Sequence, residues 1–404
     1  MSEEAAPRQT NPMLVAVALA ATLVALVFAV KQLATPGVLP VDDFCEYWAA
    51  GRLNAAGRNP YDPDLLFPIQ KQVGWHADKA VMMWNPPWTL TIAMPLGLLD
   101  YHVARVLWLL LNIGLILMSA DRLWFLYGGD PKLRWISWVA AVSYLPTAIV
   151  LRNGQIPPLM LAALTGFLYL HERRPFYAGA LLVFAAVKPH HLYLLWAGLL
   201  LWSVQRRRFG VLFGGATAAL VATAIPCYFN PAVIEQYRIA MATYPPFDWV
   251  TTTFGTVLRF CLHFLRNDLW NHVWLQFLPS IIGLIWFIPY WWRRRAAWDW
   301  TEQMPLVLVV SFMTSSYGWL EDQVVLLIAL IPMAVWIFCL RREYLTPALW
   351  CYGILSAIVL VIRFSFRLQY GLQEMFYIWC APALLFGYLF LKARIADHAN
   401  RASD

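Results

Sequence analysis

The sequence predicts an all-α fold, a polytopic membrane bundle of about 12 transmembrane helices with external juxtamembrane helices, and three observations carry that expectation. Hydrophobic residues fill 61% of the 404 positions and charged residues 13%, against roughly 25% charged in a soluble domain. The apolar residues gather in runs near 13–31, 103–127, 135–151, 155–171, 176–188, 190–204, 209–229, 270–292, 303–317, 323–340, 347–364 and 374–392. A span needs about 20 such residues, and a helix is the default because lipid offers backbone groups no partner. Basic clusters then mark every second connection: Lys132 with Arg134, Arg173-Arg174, Arg206 to Arg208, Arg293 to Arg295, Arg341-Arg342, and Lys392 with Arg394. Such clusters are the signature of cytoplasmic loops.

The net charge of +7 is therefore a topology signal rather than a nucleic-acid footprint. Aromatic residues reach 16%, which suits a protein with two membrane interfaces to furnish with amphipathic rings. The six cysteines form no C-x-x-C pair, so neither a zinc site nor a disulfide framework is indicated. Residues 13–30 follow a flank holding Glu3 and Glu4 and exceed the usual apolar core of a signal peptide, so they read as an uncleaved first span.

On this topology both termini are cytoplasmic. Two external segments, about 35–102 and 230–269, are too polar and proline-punctuated to span. The alternation requires residues 82–100, around WNPPWTLTIAMPLGLLD, to begin and end on the outer side as a re-entrant or interface-lying helix. No repeat or soluble domain interrupts the chain, which reads as one domain over 1–404.

Polar residues gather at the outer helix ends: Asp42-Asp43 with Glu46 and Tyr47, Asn85-Pro86-Pro87, Asn153-Gly154-Gln155, Lys188-Pro189-His190-His191, and Trp319 to Gln323, joined by Arg363 and Arg367. A lysine facing lipid at the midplane costs about 2.5–3.5 kcal/mol. Lys188, followed by Pro189, fits a chain bend inside a polar cavity, or else snorkelling to the interface. Asp42 and Asp43 differ by about 100° in direction on a helix, so one can face a cavity while the other caps the helix that follows. Glu321 and Asp322 stand at a helix start and also suit capping. His190 and His191 are adjacent, point apart, and have no ligand at metal spacing nearby. Asn153-Gly154-Gln155 is either a close-approach point or a tight hairpin.

Five segments in order, VDDFCEYWAAGRLNAAGRNPYD, WNPPWTLTIAMPLGLL, RNGQIPPLMLAAL, AGALLVFAAVKPH and SSYGWLEDQVVLLIAL, resemble the GT-C class of membrane glycosyltransferases, and within it glycosyltransferase family 87. The resemblance covers most of the chain. It implies a GT-C-like bundle in a bacterial inner membrane, with an active site facing the periplasm or cell exterior. It further implies a donor of the polyprenyl-phosphate sugar type, carrying a hexose, with mannose favoured, or a pentose, and a lipid or glycan acceptor. The family's acidic residue falls on Asp43 in a D-x-x-x-Y pattern with Tyr47, its glycine-glutamine step on Gln155 and its lysine-proline step on Lys188. The late motif departs from the phosphatidylinositol-mannoside branch, which tends to carry histidines after the tryptophan. Here Leu320, Glu321 and Asp322 follow Trp319.

The expected chemistry assigns Asp43, with Asp42 beside it, to general base catalysis. Lys188, Arg363, Arg367 and Arg152 would meet the leaving phosphate. Tyr47, Asn85, Gln155, His190, His191, Trp319, Glu321 and Asp322 would line the substrates. No glycine-rich nucleotide loop is present, and no cofactor or metal is expected. Besides donor and acceptor, the expected partners are membrane lipids, not nucleic acid. A transporter or flippase and a polymerase or ligase of lipid-linked glycans remain as alternative readings.

Overall fold

A computed structural model describes residues 30–244, 249–263, 265–266, 272–365 and 372–403. The expected first span, over 13–29, and Arg367 lie outside the described residues, as does most of YPPFDW. The described chain is 78% helical, without strands, and its 18 α-helices include six that are long and apolar enough to cross a membrane. It is an all-α, multi-pass membrane protein.

Three helices occupy the segment after the first span: α1 (Phe44–Ala55), α2 (Pro63–Gln72) and α3 (Leu90–Gly97). The last has 8 residues, or about 12 Å of rise, far short of a bilayer core of about 30 Å. It packs on α1 at backbone distance. A Cβ on Gly51 would lie 2.2 Å from the carbonyl oxygen of Ala93, and one on Gly97 would lie 2.3 Å from the Arg52 nitrogen. The long span α4 (Tyr101–Leu126) receives the other face of α1. Phe44 stacks on Trp108 at 5.8 Å and Trp48 meets Tyr101 edge-on at 5.4 Å. Such pairs add about 0.5–1.5 kcal/mol beyond burial, so the segment carrying the two aspartates is held firmly on the bundle.

Several of the apolar runs fold as short or interrupted helices. Residues 135–151 become α5 (Trp135–Ser143) and α6 (Leu145–Asn153), bent by 59°. Then come α7 (Pro157–Leu170), α8 (Pro175–Ala185) and α9 (Tyr193–Gln205), followed by the longer α10 (Phe209–Phe229). The segment from 230 holds α11 (Val233–Thr243) and α12 (Phe254–His263). Beyond it, α13 (Leu278–Arg294), α14 (Trp300–Thr314), α15 (Leu327–Val335), α16 (Leu345–Ser365), the short α17 (Leu372–Met375) and α18 (Cys380–Ser403) complete the bundle. The six helical stretches of spanning length and apolarity are Tyr101–Leu126, Phe209–Phe229, Trp274–Ala297, Leu320–Leu340, Arg342–Phe364 and Gln373–Asp397, with a seventh if the bent pair counts as one. Of the remaining runs, α7 and α8 are apolar but shorter than a full span, and α9 and α14 have 13 and 15 residues. The breaks between α6 and α7, between α8 and α9, and after α14 are the places where polar side chains enter the bundle. Irregular backbone at membrane depth is tolerated where it lines a cavity or is buried in protein.

Prolines inside the helices leave carbonyls without their i+4 donor, and at Pro226 and Pro305 hydroxyls from neighbouring segments supply the missing bond. Pro226 frees the carbonyl of Ala222, which accepts from Thr91 Oγ1 at 2.5 Å; Pro305 frees that of Thr301, which accepts from the Tyr127 hydroxyl at 2.9 Å. Tyr127→Phe is therefore expected to cost about 1 kcal/mol, read as a lowered Tm of the purified protein. An unchanged Tm would assign the freed carbonyl another donor.

Candidate active site

The outermost layer of the site is the turn into α1. Asp42 Oδ1 accepts from the Phe44 N–H at 3.1 Å, and its Oδ2 is 2.6 Å from the Arg105 guanidinium. Arg105, 2% exposed, also donates to the carbonyls of Leu151 and Arg152 at 2.8 and 3.2 Å. Asp42 thus ties α1 to α4 and to the end of α6, and does the local capping that either aspartate was suited for. Burial still lifts its carboxyl to about 6, with Arg105 acting in the opposite direction.

Asp43, at the N-cap position, makes no capping bond with its side chain. Its Oδ2 accepts instead from Gln155 Nε2 at 3.1 Å. Burial raises its carboxyl above the ordinary range, while the Gln155 bond and the Lys188 charge oppose that rise. One turn on, burial and the neighbouring Asp43 push Glu46 up to about 8. Near neutral pH Glu46 therefore keeps its proton.

Gln155 stands where α6 ends in a left-handed glycine. Gly154 has φ +67°, and a Cβ there would come within 2.7 Å of the Phe44 side chain and 2.9 Å of Asp42 Oδ1. Only a residue without a Cβ suits both the dihedral and the crowding. Gln155 Oε1 accepts from the Tyr47 hydroxyl at 2.8 Å and from Lys188 Nζ at 3.4 Å.

Lys188 lies in the break between α8 and α9, whose loose carbonyls are all taken: Ala186 by Trp88 Nε1, Val187 by Asn85 Nδ2 and Pro189 by Trp196 Nε1, at 2.9–3.1 Å. Asn85 is thus a cap for the broken helix. With the backbone satisfied, the lysine side chain turns inward, 13% exposed, and meets Asp322 Oδ1 at 2.7 Å. It does not snorkel. Asp322 Oδ2 receives His191 Nε2 at 3.0 Å and the Trp319 N–H at 2.9 Å. Asp322 is therefore both the cap of the 3-10 turn over 320–326 and the anchor of Lys188. His191 is fully buried, stacks on Phe312 at 4.7 Å and accepts Ser311 Oγ on its carbonyl.

Among the described residues no group of three or more His, Cys, Asp and Glu side chains is arranged to hold a metal. His190 packs against His191 at 4.4 Å and Tyr317 at 6.3 Å. Trp319 joins Trp249, which also meets Tyr317 and Trp84. Glu321 is buried beside Asp322. Arg363 sits within electrostatic reach of Glu374, at the end of α16, where Leu320, Val359, Ile362 and Tyr377 cluster. Arg152 is exposed at the end of α6, and its side chain makes no ion pair among the described residues.

The structure therefore brings Asp43, Tyr47, Gln155, Lys188, Asp322 and His191 into one bonded chain, and sets Asn85, Arg152 and Arg363 around it rather than in it. Arg105 was missing from the expected set, although it had a signal, a charge inside an apolar run; Glu46 was named among the gathered polar residues but given no role. Next to the polar chain, a cavity of about 560 Å³ opens between α3, α8 and α10, lined among others by Trp88, Thr91, Tyr177, Phe184, Val187 and Ile225. Val187 joins it directly to Lys188.

The raised Glu46 carboxyl has a consequence for stability. The folded protein keeps a proton that the unfolded chain releases near 4.3, so stability falls as pH climbs from there to about 8 and levels off above. Glu46→Gln is expected to flatten that decline in thermal scans from about pH 5 to about pH 9. An equally steep decline in the variant would show that Glu46 is not the group responsible.

Broken helices around a buried, charged side-chain cluster, beside an apolar cavity, mark this multi-pass membrane protein. The chain belongs to glycosyltransferase family 87, whose family model matches residues 84–316, and is accordingly a glycosyltransferase. The matched stretch holds Asn85, Arg152, Gln155, Lys188, His190 and His191; Asp43 and Asp322 lie to either side of it. No curated protein and no solved structure matches the chain.

Proposed function

We propose that this glycosyltransferase moves a hexose, with mannose favoured, or a pentose from a polyprenyl-phosphate sugar to a hydroxyl of a lipid or glycan acceptor, at the outer face of a bacterial inner membrane. The observation that carries the reading is the meeting of Asp43 and Lys188 at opposite ends of the Gln155 carboxamide, with Val187, the residue before Lys188, lining an apolar cavity. Base, cation and lipid groove are adjacent.

In this reading Asp43 takes the proton of the acceptor hydroxyl as its oxygen attacks the anomeric carbon. The bond from that carbon to the phosphate oxygen breaks, and polyprenyl phosphate leaves with the electron pair. Lys188 spends two of its three N–H groups on Asp322 and Gln155, which leaves one for a phosphate oxygen. Its charge is shared with Asp322, but that carboxylate also serves His191 and the Trp319 N–H, so part of the lysine's positive field is left for a phosphate. Arg152, exposed at the rim, and Arg363 beyond Glu321 add cationic character. The cavity between α3, α8 and α10 suits part of a prenyl chain, and the rings of Trp84, Trp249 and Trp319 suit a sugar face.

The direct test incubates the purified full-length protein with polyprenyl-phosphate mannose, arabinose or glucose and candidate lipid acceptors. The expected result is a glycosylated lipid and free polyprenyl phosphate. Movement of donor across a vesicle bilayer without bond cleavage would point to a flippase, and a lengthening glycan to a polymerase. No transfer from any of the three donors would overturn the proposal. Labelling of Asp43→Cys by an impermeant thiol reagent from the cytoplasmic side alone would overturn the outward orientation.

A further inference from the structure

Gln155 separates two opposite charges that would otherwise pair. Its amide can sit only one way round, because an ammonium group is all donor and an ionised carboxylate all acceptor. With Oε1 toward Tyr47 and Lys188 and Nε2 toward Asp43, every contact is favourable. The flipped amide would oppose like partners at both ends. The backbone of residue 155 is held just as firmly: its N–H donates to the Val150 carbonyl at 3.2 Å, and its carbonyl accepts from Asn112 Nδ2 at 3.3 Å. The preceding Gly154 leaves no room to shift, given its packing against Phe44 and Asp42.

We propose that Gln155 is a positioning residue: wedged between Asp43 and Lys188, it holds the carboxylate in one orientation and prevents it from closing onto the lysine as an ion pair. A direct pair would neutralise the base and the cation together. The inference rests on the reading of Asp43 as the base. The spacer explains why Lys188 is anchored by a different carboxylate, Asp322.

The charged and titratable groups facing Asp43 are Asp42, Cys45, Glu46 and Tyr47 on its own segment and Lys188 from the break after α8. Arg105 of α4 is occupied by Asp42, and Asp322 and Glu321 lie behind Lys188. Against that background the Gln155 bond favours the ionised form of Asp43. Its loss must move the carboxyl's titration to higher pH, and with it the acidic limb of activity.

The test compares wild type with Gln155→Met, which keeps length and loses both bonds, and with Tyr47→Phe, which removes one of the two donors locking the amide. Two readouts are taken on the full-length protein. The first is kcat and KM for polyprenyl-phosphate mannose as a function of pH. The second is an infrared titration of the Asp43 carboxyl, its band assigned by difference from Asp43→Asn, which requires no substrate. In Gln155→Met, kcat should fall by about 100-fold with donor KM within about twofold, and both the Asp43 titration and the acidic limb should move to higher pH. Tyr47→Phe should move them the same way by less, and decides the matter if Gln155→Met does not fold. A wild-type Asp43 titration in folded variants, or a defect confined to KM, would overturn the proposal. If Asp43→Asn keeps its activity, the base reading falls, while the infrared comparison still decides whether Gln155 governs Asp43.

Discussion

Asp43→Asn is expected to lower sugar transfer by at least about 100-fold, the usual contribution of a general base, in a protein that inserts and folds normally. The substitution keeps the shape of the side chain, and the remaining carbonyl oxygen can still accept from Gln155 Nε2. What it removes is the basicity of the carboxylate. Asp42→Asn is the contrasting case, because Asp42 holds Arg105, which is nearly fully buried. Breaking such a pair costs roughly 3–5 kcal/mol, so its loss should appear first as a lower Tm. Initial transfer rates together with size-exclusion profiles separate the two. Retention of more than about a tenth of wild-type transfer by Asp43→Asn would contradict a base of ordinary strength.

Lys188→Met is expected to produce two losses at once. The leaving phosphate would lose its nearest cation, a deficit of about 100-fold or more when a preorganised charge-stabilising donor is removed. Asp322 would be left buried at 1% exposure with only His191 Nε2 and the Trp319 N–H, a destabilisation of roughly 3–5 kcal/mol for an uncompensated buried charge. Lys188→Gln divides these effects, since its amide can still donate to Asp322 while carrying no charge. It should recover much of the Tm lost in Lys188→Met but none of the turnover. Unchanged donor affinity and rate in Lys188→Gln would remove the lysine from the phosphate site.

Much of this site could be read from residue order alone. A lysine before proline inside an apolar run, and two aspartates just past a span, are costly in a membrane protein and therefore conspicuous. The glycine before Gln155 was legible as a point of close approach, and φ +67° against Phe44 supplies the reason. Harder to foresee was the division of labour among carboxylates. Asp42 and Asp43 are adjacent and chemically identical, yet one faces Arg105 and the other Gln155. Asp322 suited a capping role, and it does cap, but its second oxygen anchors Lys188, which is distant in sequence. Asn85, expected among the substrate contacts, closes a broken helix through the Val187 carbonyl.

The sequence by itself determined the class of fold, because burying 61% apolar residues with 13% charged ones leaves the lipid bilayer as the solvent and helices as the means of satisfying the backbone. It also determined which polar residues the bundle had to house, since each carries a desolvation cost that selection would otherwise remove. Only the tertiary structure decided which of those residues pair, for a partner is chosen by geometry within about 3 Å, and the directions of Asp43, Lys188 and Asp322 are set by how separate helix breaks meet. Charge and hydropathy act along the chain and are written there; orientation is a property of packed helices, and no single segment contains it.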